Sequence, residues 1–240
     1  MRSSSGPLVR YTECHNDDIT TLSFHPASST TLLSGGTDAL VNIYDLNITD
    51  EDDTLVQVIN HGASVAHAVF LAAGEEEWVA VLSHDELCAV YARTSRQEEG
   101  NEEGEGVGEE GEKVEFGDLR GRLDCQYAIG LNRMAGWAVV GVGRHEESRV
   151  DLIPLRANGK EWSFQTGERI RLGGAHTGEI VRSFLIDDQT GTVFTGGEDG
   201  VIMAWKAENV SEGPGGGEVG PVRSKRKKGE GRSDRLFKPY

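Results

Sequence analysis

The residues best suited to chemistry in this 240-residue chain are seven His, forty Asp and Glu together, and three Cys. His84-Asp85-Glu86 is the tightest grouping, since an imidazole beside two carboxylates is the material of a general acid–base pair. Gly141-Val142-Gly143 follows an apolar stretch and suggests a loop that cradles a dinucleotide. Glu146 stands where that fingerprint needs glycine, however, and strand-type residues follow where a helix should open, which rejects it. The histidines have no metal-ligand spacing. Cys14, Cys88 and Cys125 are odd in number and far apart, which points to buried or free thiols in a reducing compartment and away from a disulfide framework or a zinc site. No Gly-x-Ser-x-Gly elbow, phosphate loop or nucleophilic Cys motif is present. The expectation is a protein that is not an enzyme, with no catalytic residues, no cofactor and no metal.

Three of the histidines belong instead to a repeat. His15-Asn16-Asp17-Asp18-Ile19, Thr31 to Asp38 and Leu40 to Asp45 align without a gap on His176-Thr177-Gly178-Glu179-Ile180, Thr192 to Asp199 and Val201 to Trp205. The His, the Ser/Thr, the Gly-Gly, the Asp and the aromatic residue all fall in register, which chance explains poorly. Within each segment, short β-branched and apolar stretches alternate with Gly, Asp, Pro and Ser clusters, the pattern of antiparallel strands and turns. Ile19–Phe24, Leu32–Ser34, Leu40–Tyr44 and Thr54–Ile59 read as four strands of one small sheet.

These positions carry a resemblance to the WD40 family, through His15, Ser34, Asp38 and Tyr44 and again through His176, Thr195, Asp199 and Trp205. The resemblance implies an all-β fold, a WD40-type β-propeller. It also implies that each set forms a structural network in which the turn Asp accepts a hydrogen bond from the His, and the His links to the Ser/Thr and the Trp. A buried carboxylate and imidazole are costly unless every polar atom finds a partner, so such a network fixes the turn against its own blade. Tyr44 departs from the pattern, where the family has Trp. His84-Asp85-Glu86 falls where the family has its inter-strand turn, so the turn reading far outweighs an acid–base site.

Weaker copies lie between the two. His61, Asp85 and Tyr91 keep nearly the same spacing, with strands at Val65–Leu71, Val79–Leu82 and Leu87–Tyr91, but Val81 replaces the Ser/Thr. A third copy has strands at Tyr127–Leu131, Trp137–Val142, Val150–Leu155 and Trp162–Ile170 and lacks both His and Asp. The count is about four blades in residues 1–206. Leu8–Thr12 reads as the outer strand of a blade whose other strands are missing, and the last blade shows three strands. An incomplete, open propeller is therefore expected; the alternative is a small ring in which Leu8–Thr12 completes the last blade. The acidic insertion and basic tail are similar to those of fungal relatives of WD repeat-containing protein 89, of which this chain would be the C-terminal part.

The formal net charge of −16 sits largely between Gln97 and Asp118. Residues 97–113, dominated by Glu and Gly, cannot bury enough apolar surface to offset their ordering entropy and read as a disordered insertion. A docking site for basic, histone-like tails is the less favoured reading. Residues 207–240 read as a flexible Gly-rich and basic tail in which Lys225, Arg226, Lys227 and Lys228 form a nuclear import signal. A strongly acidic chain opposes nucleic acid except weakly through that tail. The start offers no apolar stretch for a signal peptide, and no run nears the roughly 18 apolar residues that span a bilayer. The sequons at Asn47 and Asn209 then count as chance matches. The reading is an intracellular protein, nuclear or nucleo-cytoplasmic, that acts as a scaffold for other proteins and has no membrane contact. A reader of modified peptides would want an aromatic cage or an Arg cluster. Tyr44, Tyr91 and Trp205 are claimed by the strand ends, and no Arg cluster is expected within the blades.

Overall fold

A computed structural model of the chain describes residues 6–94, 111–206 and 218–219. The acidic stretch up to residue 110 and the Lys225–Lys228 cluster lie outside the described residues. Four antiparallel sheets follow one another along the chain. The first is β1 (Ile19–His25), β2 (Ser28–Gly36), β3 (Leu40–Asp45) and β4 (Leu55–Asn60), paired in that order, with a one-turn helix α1 (Glu51–Thr54) before β4. The second is β5 (Val65–Ala73), β6 (Glu76–Ser83), β7 (Leu87–Ala92) and β8 (Lys113–Asp118), closed by a short helix α2 (Leu119–Leu123). β8 lies beyond the acidic insertion, which therefore interrupts a hairpin rather than separating two blades.

The third sheet is β9 (Tyr127–Arg133), β10 (Ala138–Arg144) and β11 (Arg149–Asn158), flanked by β12 (Glu161–Phe164) and β13 (Ile170–Gly173). Both outer pieces pair with β11: β12 with Leu155–Asn158, β13 with Arg149–Leu152. The single strand expected at Trp162–Ile170 is thus split in two by a turn at Thr166–Glu168. The fourth sheet has three strands, β14 (Val181–Asp187), β15 (Thr192–Gly197) and β16 (Ile202–Trp205). In the segment expected to be a structureless tail, β17 (Glu218–Val219) pairs parallel with β13.

Blades are covered on both faces where they are stacked, so central strands read as unbroken apolar runs instead of alternating. Trp78-Val79-Ala80-Val81-Leu82 of β6 is buried throughout. Three apolar cores fill the three junctions. Leu33, Val41 and Ile43 of blade 1 meet Val65, Ala68, Phe70 and Val79 of blade 2. Trp78, Leu82 and Val90 of blade 2 meet Val140, Val142 and Ile153 of blade 3. Ile129, Val139 and Leu172 of blade 3 meet Val181, Val193 and Trp205 of blade 4. The innermost strands follow one another as β1, β5, β9 and β14; among the described residues no comparable packing joins β14 to β1, and the four blades form an open arc.

Leu8–Thr12 is no strand and does not pair with the last blade, which overturns the small ring it would have closed. It is an irregular stretch held on α1: the Glu51 carboxylate accepts from the backbone N–H groups of Thr12 and, at 2.6 Å, Glu13. The Tyr11 ring stacks on Tyr44, with centroids 5.5 Å apart.

The gapless alignment of the two strong repeats also needs one correction. Ile19 pairs with Gly36, but it is Val181, not Ile180, that pairs with Gly197. One extra residue before β14 is offset in the following loop, which joins His25 to Ser28 in blade 1 and Asp187 to Thr192 in blade 4. A one-residue slip sends every side chain of a strand to the other face, so β1 and β14 correspond as Leu22 to Phe184 and Phe24 to Ile186.

Candidate functional site

The two strong repeats each bring their four marked side chains together. In blade 1, His15 precedes β1, Ser34 is on β2, Asp38 is in the β2–β3 turn and Tyr44 is on β3. His15 Nδ1 lies 3.0 Å from Asp38 Oδ2, and Nε2 lies 2.6 Å from Ser34 Oγ, which is 2.9 Å from the Tyr44 hydroxyl. A carboxylate only accepts, so Nδ1 carries the proton given to Asp38. In blade 4, His176 Nδ1 donates to Asp199 Oδ1 at 2.8 Å and Nε2 lies 2.9 Å from Thr195 Oγ1. The Trp205 indole N–H donates to that same hydroxyl at 2.9 Å. Because an indole can only donate, Thr195 Oγ1 accepts from Trp205 and links the indole to the imidazole. Tyr44 closes the first network as well as Trp205 closes the second, so the departure from the family pattern does not break the link.

The Gly-Gly of each repeat has a steric reason. A Cβ on Gly36 would sit 2.8 Å from His15 Nδ1 and 2.6 Å from Asp38 Oδ1, and one on Gly197 would sit 2.6 Å from His176 Nδ1. The backbone passes flush against the His–Asp hydrogen bond, and only glycine leaves room. After each turn Asp the chain enters the left-handed region, at Ala39 (φ 69°), Glu86 (φ 61°) and Gly200 (φ 72°).

Both turn carboxylates are held below the usual Asp range. For Asp199 the His176 hydrogen bond is the main cause, helped by the Val201 backbone N–H. For Asp38 burial is the largest influence and pushes upward, but the Asn16 N–H, the His15 bond and the Leu40 N–H together outweigh it. A carboxyl with a depressed folded-state pKa contributes stability at pH values above its unfolded pKa, and that contribution is lost as pH falls through the folded value. Thermal unfolding compared at neutral pH and at about pH 3 should therefore show a smaller acid-induced drop in Asp199→Asn than in the parent chain. An equal drop in both would mean the pair is not linked to folding.

Blades 2 and 3 solve the same problem differently. With Val81 in place of the hydroxyl, His61 Nδ1 bonds the Tyr91 hydroxyl directly at 2.9 Å, Nε2 is buried without a partner, and burial depresses the His61 pKa. Asp85 takes no part in that bond. It lies in the β6–β7 turn, with its backbone N–H on Ser83 Oγ, and His84 bonds Ser64 Oγ at 3.0 Å, so 84–86 is a turn and not an acid–base site.

In blade 3 ion pairs stand where the imidazole and turn Asp would be. Asp151 on β11 is 1% exposed and sits 2.9 Å from Arg171 Nε, 3.1 Å from Arg169 Nη1 and 3.4 Å from Arg149 Nε. Arg149 also holds the loop before β9 through the Asp124 carbonyl at 2.7 Å, and with Arg144 it pairs Glu147 and Asp124. The blades thus do contain an Arg cluster, contrary to the sequence expectation, and its guanidiniums are taken up by carboxylates of the same blade. Asn42 is another buried polar residue outside the motif. Its amide donates to the Cys14 carbonyl and fastens the segment that carries His15.

Among the described residues no helix is long and apolar enough to cross a membrane, and no group of three or more His, Cys, Asp or Glu is placed to hold a metal ion. The WD40 family, described as WD domain, G-beta repeat, matches residues 6–45, which hold the first network entire. An uncharacterized WD repeat-containing protein of Saccharomyces cerevisiae is 30% identical over 207 residues, covering 86% of this chain and 49% of its own length. One of Schizosaccharomyces pombe is 32% identical over 216 residues, covering 86% and 60%. The WD repeat-containing protein 89 homolog of Dictyostelium discoideum is 26% identical over 210 residues, covering 84% and 53%. The chain spans roughly half the length of these relatives. With a WD40 repeat in its first blade and four stacked antiparallel sheets, the chain has a WD40-type β-propeller fold, and it is similar along most of its own length to WD repeat-containing proteins.

Proposed function

We propose that the chain is a non-catalytic scaffold on which other proteins dock within a multiprotein assembly. WD40 propellers in general serve protein–protein interaction, and the observation that carries the reading here concerns the imidazoles. His15 and His176 sit beside carboxylates as a catalytic dyad would, yet both ring nitrogens of each are committed to groups of their own blade. What a rigid arc of sheets then offers is its loops and strand edges, where binding residues on stable scaffolds concentrate. Affinity purification of the tagged chain followed by mass spectrometry tests the reading. A reproducible set of co-purifying proteins supports it, and turnover in an unbiased hydrolase or transferase screen that is lost in His176→Gln would overturn it.

One observation favours a second reading, a reader of basic peptides such as histone-like tails. A hollow of about 440 Å³ where the acidic insertion leaves β7 and returns is lined by Glu75, Glu76, Glu77 and Glu112 as well as Arg93 and Lys160. Deleting residues 97–110 should then lower recovery of basic partners; equal recovery leaves only a solvated loop. The nuclear or nucleo-cytoplasmic location is likewise a proposal. It rests on the Lys225, Arg226, Lys227 and Lys228 cluster, and alanine at all four should abolish nuclear accumulation of a tagged chain while leaving its abundance unchanged.

A further inference from the structure

Among the described residues every strand pair is antiparallel except one: β17 lies parallel to β13. A tight turn cannot join parallel neighbours, so β17 is no product of the meander that builds the blades. It is a segment added from outside to a finished sheet. In the chain it follows β16, yet it pairs with the outer edge of blade 3 and not with β16. The register sets Glu218 across from Arg171 and Val219 across from Leu172.

An outermost strand presents a row of unpaired N–H and C=O groups, which proteins blunt with bulges and charged residues. Blades 1 and 2 are blunted in this way. The β3–β4 ladder slips between Ile43 and Tyr44, and the β7–β8 ladder between Cys88 and Ala89. β8 also carries Lys113, Glu115 and Asp118. By contrast, the β11–β13 ladder runs from Arg149 opposite Gly173 to Leu152 opposite Ile170 without a slip. The strand beneath this regular edge is firmly founded. Leu172 is fully buried in the core shared with blade 4, and Arg171 is held on the buried Asp151 carboxylate. Main-chain pairing on a preformed edge of this kind is how extended peptides are recognised by strand addition.

β17 fills the edge incompletely. It covers Arg171 and Leu172 and leaves Ile170 and Gly173 without a partner strand on that side. The sequence around it sets that limit. Gly215-Gly216-Gly217 precede and Gly220-Pro221 follow; glycine weakens a strand, and proline lacks the N–H that a ladder needs. A pairing of two residues gains little by itself. What favours it is the covalent link through residues 207–217, which presents β17 to the edge at an effective concentration of the order of millimolar. We propose that the outer edge of β13 is a strand-addition site for an extended segment of a partner protein, lying parallel to it, and that β17 is a stand-in which such a segment displaces. On the scaffold reading, on which this rests, blade 3 offers partners one defined edge with a built-in competitor.

The test uses the full chain, as it is and with Glu218→Pro and Val219→Pro together, which removes both N–H groups of β17. Hydrogen exchange is followed at Ile170–Gly173, and thermal unfolding checks that the blades are intact. The outward amides of β13 should exchange severalfold faster in the double variant, with β11 and β15 unchanged. The probe is a synthetic peptide of residues 214–223. It should restore protection to the double variant with a midpoint of about 1 mM, and to the unaltered chain only at severalfold higher concentration, because that edge is occupied. The same peptide with Gly217→Thr and Gly220→Thr extends the strand over all of β13 and should bind about tenfold tighter through the added ladder hydrogen bonds. Equal exchange in the two chains overturns the pairing in cis. Failure of both peptides to protect β13, or no gain from the longer strand, overturns the strand-addition site, and an equal midpoint in the two chains overturns the competition. Protection that appears equally at β4, β8 or β16 overturns the assignment to β13. Whether the chain co-purifies with partners is read separately, so failure here is distinguishable from failure of the scaffold reading.

Discussion

Alanine at Asp151 is expected to destabilise the fold by about 3–5 kcal/mol, the usual cost of removing one partner from a buried ion pair. The effect would be read as a lower urea midpoint with an unchanged slope. The side chain is almost wholly buried, and Arg149, Arg169 and Arg171 converge on its two oxygens. These three residues come from two neighbouring strands and the turn before one of them, so the carboxylate ties β11 to β13, and through Arg149 it also ties the Asp124 loop to the sheet. Its hydrogen bond raises the Arg171 pKa further. Without the carboxylate, three like charges face one another at the rim of the blade 2–blade 3 junction. Asp151→Asn keeps the volume and one acceptor oxygen but not the charge, and should fall between the parent chain and the alanine variant. A loss under about 1 kcal/mol for alanine, the worth of an exposed pair, would show that the guanidiniums simply turn to water.

That cluster also shows where sequence reading stops. The His–Asp–Ser/Thr–aromatic sets were legible because they recur at fixed spacings, and each member is demanded by the valence of the next: His15 needs an acceptor and a donor, and Asp38 and Ser34 supply them. The Asp151 set has no such rule. Its members come from the loop before β9, the β10–β11 turn, β11, and β13 with the turn before it, and the only trace in sequence is the alternation of Arg149 with Asp151 and of Arg169 with Arg171. Reading it requires the register that places Asp151 opposite Arg171, and the β12 excursion hides that register.

The outer strands were misread for a related reason. β8 shows a plain alternation at Lys113–Asp118, with Val114 and Phe116 turned inward, but it lies across the acidic insertion from its partner β7. Leu8–Thr12 has strand-like residues and no partner, and local propensity without pairing does not make a strand. The slip between β1 and β14 left no mark, because Ile180 and Val181 are both apolar and loop length absorbed the extra residue.

Trp205→Ala is expected to have the other large effect, about 3–5 kcal/mol for emptying a fully buried aromatic site. The loss should also be local. Trp205 is buried against the blade 3 face, and its indole N–H is the donor that completes the Thr195–His176–Asp199 chain. Removing it therefore opens a cavity and strips the donor from a buried hydroxyl at once. The sheet it serves is the narrowest of the four, with β16 at its edge held by β15 alone. Stacked repeats unfold by units when one unit is weakened, since each contacts only its neighbours. Hydrogen exchange should then show Val181–Trp205 losing protection while β2, β3, β6 and β7 keep theirs. Trp205→Phe separates the two causes: it fills most of the volume and removes only the donor, so it should cost about 1–3 kcal/mol, the range for an unsatisfied buried polar group. Were exchange in Trp205→Ala to rise evenly across all four sheets, the arc would be a single cooperative unit, and the aromatic at the strand end would be stabilising the whole rather than its own blade.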